Sequence, residues 1–148
     1  MSTQRIYALP VELTQWKFDG ATELQFNWEY DDGSAPLLEL YEKGKQQQWD
    51  ASTRLDWSLQ LNPDNPMELK DEAISIYGTD YWNKMTDKEK AWLRLHLQAN
   101  SISQFMHGEQ GALIATAKIV GTVPDMNAKF YAATQVMDEA RHVEAYKR

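Results

Sequence analysis

An all-α protein is predicted by three features of this chain of 148 residues. Thr86-Asp87-Lys88-Glu89 reads as a capping box, a hydroxyl followed three residues later by a carboxylate. Gly121-Thr122-Val123-Pro124-Asp125 reads as a break between two helices. Apolar residues recur at spacings of three, four and seven on both sides of that break.

Residues 1–34 differ from the rest and are expected to form an aromatic-rich arm. Trp16, Phe18, Phe26, Trp28 and Tyr30 should pack on a helical domain spanning 35–148. The alternation of Leu24, Phe26 and Trp28 also allows a short strand. Ser34 and Pro36 predict a helix start, with the helix running to about Thr53. Asn62-Pro63-Asp64-Asn65-Pro66 is a breaker. A helix from Pro66 to about Tyr77, stopped by Gly78, is expected next. The capping box then opens a long helix to about Val120, with Gly121 as its stop and Pro124 starting a last helix from about Met126 to the end. A turn this short forces the last two helices to pack antiparallel.

In such a hairpin, residues equidistant from the turn lie at one height. Glu109 and Glu139 are equidistant from Pro124. Glu139-Ala140-Arg141-His142 adds an imidazole one turn from Glu139 on the same face. Both carboxylates fall in apolar stripes, Glu109 with Leu95, Ile102, Phe105, Met106, Ala112 and Leu113, and Glu139 with Ala132, Val136, Val143 and Tyr146. A carboxylate on a buried face costs several kcal/mol unless it is paired or binds a cation. Two readings follow: a metal held by Glu109, Glu139 and His142, or a structural salt bridge using Arg141 or Lys118.

The stretch His107-Gly108-Glu109-Gln110-Gly111-Ala112, followed by Met137-Asp138-Glu139-Ala140-Arg141-His142, resembles the ferritin-like di-iron carboxylate oxygenases. The Asp-Glu-x-Arg-His form is similar to the bacterial multicomponent monooxygenase hydroxylases. The segment from Leu40 to Trp57 is more similar to the arylamine N-oxygenases. The resemblance covers about residues 36–148. It implies a ferritin-like helical bundle and a di-iron centre with Glu109, Glu139 and His142 among its ligands, manganese being the other metal to weigh. It also implies activation of O2 to oxygenate a small organic substrate, with amines as candidates, and a reductase as electron donor. A second Glu and a second Glu-x-x-His, which that ligand set requires, do not occur in this sequence. His96 and His107 do not substitute, because at 100° per residue they lie well off the face of Glu109. Arg148 falls six residues after His142, in mid-pattern. The expectation is therefore a chain truncated at its C-terminus, with a homodimer that supplies four Glu and two His as the alternative. A ferritin-like storage protein and a non-catalytic bundle module remain open as other functions.

Composition narrows the field. With no cysteine there is neither a disulfide framework nor a thiolate metal site. A net charge of -7 argues against nucleic acid and anionic membrane surfaces. No apolar run approaches the ~20 residues needed to span a bilayer. The first residues lack the apolar core of a signal peptide, so cytoplasm is expected.

Other features have two readings each. Trp49, Trp57, Trp82 and Trp92 could wall an oxygen-activating site or simply pack. Lys43, Lys45, Gln46 and Gln47 around Trp49 could contact substrate or form a solvated face. Gly108 and Gly111 flank Glu109 and imply either a close helix neighbour or open space. Asp138 is a candidate acceptor for the imidazole of His142, although its direction favours service to a neighbouring helix or an ion pair with Arg141.

Overall fold

The computed structural model describes residues 20–30 and 33–148. Its helices are α1 (Ala35–Gln46), α2 (Ala51–Arg54), α3 (Asp80–Lys84), α4 (Asp87–Thr122) and α5 (Met126–Lys147). No strand occurs among the described residues, so the fold is the all-α one that the periodicity predicts.

The α4–α5 hairpin is the main body. Thr86 caps α4 through a full capping box, its hydroxyl accepting from Glu89 N–H and the Glu89 carboxylate accepting from Thr86 N–H at 2.7 Å. Gly121 is not the stop: the helix runs through it, and Val123 turns extended with φ -77° and ψ 139°. Pro124 is the reason, because its ring disfavours helical backbone in the preceding residue. Pro124 itself precedes the cap of α5. That cap is Asp125, whose carboxylate accepts from Ala128 N–H at 2.8 Å.

α1 lies on the other side of α5. Gly44 meets Thr134 so closely that a β-carbon there would stand 3.1 Å from the threonine hydroxyl oxygen. Tyr41 and Phe130 bring their rings within 5.3 Å. α1 stops at Gln46, short of the expected Thr53, because Asp50 is committed as a cap. Its carboxylate accepts from Ser52 N–H at 2.7 Å and starts the short α2.

The helix expected from Pro66 to Tyr77 is absent. Only a 3-10 turn forms, at Asp71–Ala73. Tertiary hydrogen bonds claim the backbone that such a helix would use. Asn65 accepts from Leu69 N–H at 2.8 Å, and the buried Gln98 of α4 accepts from Met67 N–H at 2.6 Å. Glu68 adopts a positive φ of 53°, a conformation that ends helical continuity. Asp71 then anchors the segment to Arg94 through two bonds of 2.6 and 2.9 Å. Gly78, at φ 75°, turns the chain into the cap of α3 as a residue with a β-carbon would do only with strain.

The arm is extended along residues 20–30 and fastened to the α4–α5 turn. Gln25 N–H donates to Gly121 C=O at 2.8 Å, Asn27 donates to Pro124 C=O, and Lys129 donates to the carbonyls of Gln25 and Val120. Its aromatics do not pack on the body as expected: Phe26 and Trp28 meet edge to face and stay 72% and 85% exposed. Hydrogen bonds to backbone carbonyls, not aromatic burial, hold this stretch. Trp16 and Phe18 lie outside the described residues.

Apolar burial is sparse. Ala51, Ile74, Trp82 and Ala132 are the buried hydrophobic residues among those described, and Gln98 is the one buried residue of α4. No described helix is long and apolar enough to cross a membrane.

Candidate metal centre

Antiparallel packing of α4 and α5 brings Glu109 and Glu139 to one height, and the three-residue spacing on α5 adds His142 to the same spot. The Nδ1 of His142 lies 3.1 Å from a carboxylate oxygen of Glu139 and 3.3 Å from one of Glu109. One potential donor atom from each of the three falls within 4.8 Å of the others. Side-chain exposures of 24% for Glu109, 19% for Glu139 and 39% for His142 leave the cluster open on one side.

The electrostatics are those of anions short of a cation. Burial holds the Glu139 carboxyl above the usual range, and a hydrogen bond shared with Glu109 adds to this, while His142 works against it. For His142, burial disfavours the charged ring. The hydrogen bond to Glu139 and the charge of Glu109 outweigh that, and the imidazole is held above its ordinary value. Both shifts favour protons at the point where a divalent ion would bind, so a metal would compete with protons there.

The alternative salt bridge is not formed. Arg141 pairs with Asp138 at 3.5 Å rather than with Glu139, and its Nη1 has no hydrogen-bond partner. Among the described residues, His142 is the basic group in ion-pair contact with both Glu109 and Glu139. His107 is exposed, and His96 stacks on Trp92 at 4.0 Å, so neither joins the cluster.

Asp138 serves a neighbouring segment, in line with its direction on the helix. It accepts from the indole N–H of Trp49 at 3.1 Å. The ring of Trp49 stands 5.8 Å from that of His142 at a tilt of 33°. Trp49 thus borders the site from the α1–α2 link, a role that sequence leaves unresolved because Trp49 and Asp138 are 89 positions apart. The one sequence signal is Asp138 itself, a carboxylate turned towards another element.

A cleft of about 640 Å³ follows the Glu109 stripe towards the start of α4. Leu95, Ile102, Met106 and Tyr146 line it, with Gln98 at its base. Met106 is one turn before Glu109 and Tyr146 one turn after His142, so the cleft ends about a turn from the cluster, whose three residues do not line it. Gly108 and Gly111 face open space.

Comparison with curated proteins and with solved structures gives no match. The family model described as P-aminobenzoate N-oxygenase AurF matches residues 31–146. Of the two branches that the motifs resemble, this match selects the arylamine N-oxygenases. It spans α1 to α5, including the carboxylate–imidazole cluster and the Trp49 contact, and the chain belongs to this family of ferritin-like di-iron oxygenases.

Proposed function

We propose that Glu109, Glu139 and His142 form one half of a di-iron centre through which this chain takes part in oxygenating a small organic amine. The observation that carries the reading is the cluster itself. Two carboxylates and one imidazole converge on one point, with no lysine or arginine among the described residues to neutralise them. The donor set fits iron: hard oxygens balance the charge of the ions, and one nitrogen fixes the end of the pair. When bound, iron supplies the redox chemistry that O2 activation needs.

The chain's own residues have definable parts in this. Glu109, Glu139 and His142 would hold the ion, and because the Glu139 carboxyl and the His142 imidazole are both held above their ordinary values, binding there would compete with protons. Trp49 covers one edge of the imidazole and would restrict its rotation. The apolar cleft beside Met106 and Tyr146 would hold the substrate's hydrocarbon part, its volume lying within the range usual for small-molecule sites. An aromatic amine is the substrate class that the family description suggests.

Ferrous iron titrated anaerobically into the purified chain, followed by O2 uptake with and without aromatic amines, tests this. Expected are iron binding that is lost in Glu139→Ala and O2 uptake that rises with a suitable amine. O2 uptake indifferent to every amine would favour iron storage. A chain that takes up no iron would leave a non-catalytic module.

A further inference from the structure

A second cleft, of about 450 Å³, opens between the α1–α2 link and α5. Gln48, Trp49, Asp50, Thr53, Arg54 and Arg141 line it, and it shares none of these with the apolar cleft along α4. None of the three residues of the carboxylate–imidazole cluster lines it either. In a chain of net charge -7, this lining carries two guanidiniums and one carboxylate. The cleft is therefore locally positive.

Its hydrogen-bond donors are in surplus. Arg54 is exposed and makes no side-chain hydrogen bond or ion pair with another described residue. Arg141 is only 19% exposed, and its buried Nη1 has no hydrogen-bond partner. The carboxylate oxygen 3.5 Å from that nitrogen, Oδ1 of Asp138, already accepts from the indole N–H of Trp49. Asp50, the carboxylate of the lining, commits its Oδ1 to the backbone N–H and the hydroxyl of Ser52 at 2.7 and 2.5 Å. Those bonds hold its carboxyl below the usual range, and the charges of Arg141 and Arg148 act in the same direction. A guanidinium offers five N–H donors in one plane, and a buried donor left unpaired is costly. An oxyanion is the group that answers both arginines.

We infer that this cleft seats a small organic carboxylate, its charged end on Arg54 and Arg141 and its flat apolar body against Trp49. A carboxylate meets the guanidinium fork through two parallel bonds. The excess of one positive charge in the lining suits a monoanion, and the carboxylate of Asp50 disfavours a phosphate dianion by repulsion. The indole of Trp49 gives a flat ring a partner to stack on. The volume lies within the range of small-molecule sites. A ligand held here packs on the ring that stands 5.8 Å from that of His142, so its presence is felt beside the cluster. The seat itself requires neither iron nor the oxygenase reading.

Benzoate, acetate and inorganic phosphate titrated into the metal-free chain at neutral pH test it. The readout is the indole N–H resonance of Trp49, identified by its loss in Trp49→Phe. Benzoate should shift that resonance and saturate within roughly 20 mM, with acetate weaker because it has no ring to stack. Arg54→Gln, at an exposed side chain without a partner, should weaken benzoate roughly fivefold or more, and Arg141→Gln likewise. Asp50→Asn keeps a capping side chain for α2 and removes the repelling charge, so benzoate should tighten roughly two- to fivefold. Should Arg141→Gln lose helical circular dichroism, Arg54→Gln and Asp50→Asn decide by their opposite signs. No shift with benzoate, or benzoate binding unchanged in Arg54→Gln, overturns the assignment. Phosphate that binds more tightly than benzoate overturns the carboxylate, and acetate equal to benzoate overturns the place of Trp49. Iron uptake is read in none of these titrations, so the oxygenase reading stands or falls apart from them.

Discussion

Glu139 and His142 both hold protons more tightly in the fold than outside it, and the sign of the consequence is the same for each. A group whose folded pKa is raised stabilises most below its unfolded pKa and loses that contribution as pH rises through the folded value. Without metal, the melting temperature should therefore fall as pH rises from the ordinary carboxylate range through and above the ordinary histidine range. The carboxylates held low by hydrogen bonds, such as Asp71 with Arg94 and Glu89 with Thr86, act only at lower pH and do not oppose this slope. His142→Ala should flatten it, and a wild-type melt that rises or stays level over the same interval would contradict the assignment. Glu139→Ala should remove iron binding while leaving the metal-free melt equal or higher, since a strained carboxylate is gone. A fall equivalent to ~3–5 kcal/mol would instead mean that Glu139 is half of a buried ion pair. Iron stoichiometry should collapse in His142→Ala and persist in His96→Ala and His107→Ala. Equal losses at all three would show the face assignment to be wrong.

The helices were legible where local chemistry acts alone and obscure where distant side chains intervene. The Thr86–Glu89 capping box and the Pro124–Asp125 break define α4 and α5, and with them the matched heights of Glu109 and Glu139. The segment after Pro66 misleads because Gln98, some thirty residues away, takes Met67 N–H, which no local pattern announces. The end of α1 misleads because Asp50 reads as a helical residue until it is seen capping α2. Gln98→Ala should leave Met67 N–H without its partner and remove one of the hydrogen bonds of Asn65, at a cost of about 1–3 kcal/mol. Faster hydrogen exchange at residues 65–71, with α5 unchanged, would check this. Gly111→Ala, in open space on a helix, should stabilise α4 by up to ~1 kcal/mol, read from denaturant unfolding.

Across the whole molecule, the deficit is of apolar burial. Exposed Leu95, Phe105 and Ile114 on α4 sit with Leu24, Phe26 and Trp28 of the arm in a fold whose fully buried hydrophobic residues are few. A protein that hides little of its own apolar surface gains stability from whatever covers it, by mass action. The melting temperature should rise with protein concentration, and a value constant over a hundredfold range would indicate that the exposed face contributes nothing to association. The sequence carried this message in the stretch of α4 between Leu97 and Ala117, where Glu109 is the only Asp, Glu, Lys or Arg, a pattern that composition averaged over the chain conceals.

The turn at Val123–Pro124–Asp125 has a bearing on how such a hairpin can change length. Glu109 and Glu139 stand opposite each other because each is the same number of residues from Pro124. One residue inserted on one side of the turn would shift its helix by about 1.5 Å and rotate it by about 100°, carrying one carboxylate off the shared face. Growth that spares the cluster must come in matched blocks, close to whole helical turns on both arms together. Relatives that keep the cluster should therefore differ in hairpin length by discrete paired steps, while the loop between α2 and α3, which supplies none of the three residues, is free to vary one residue at a time.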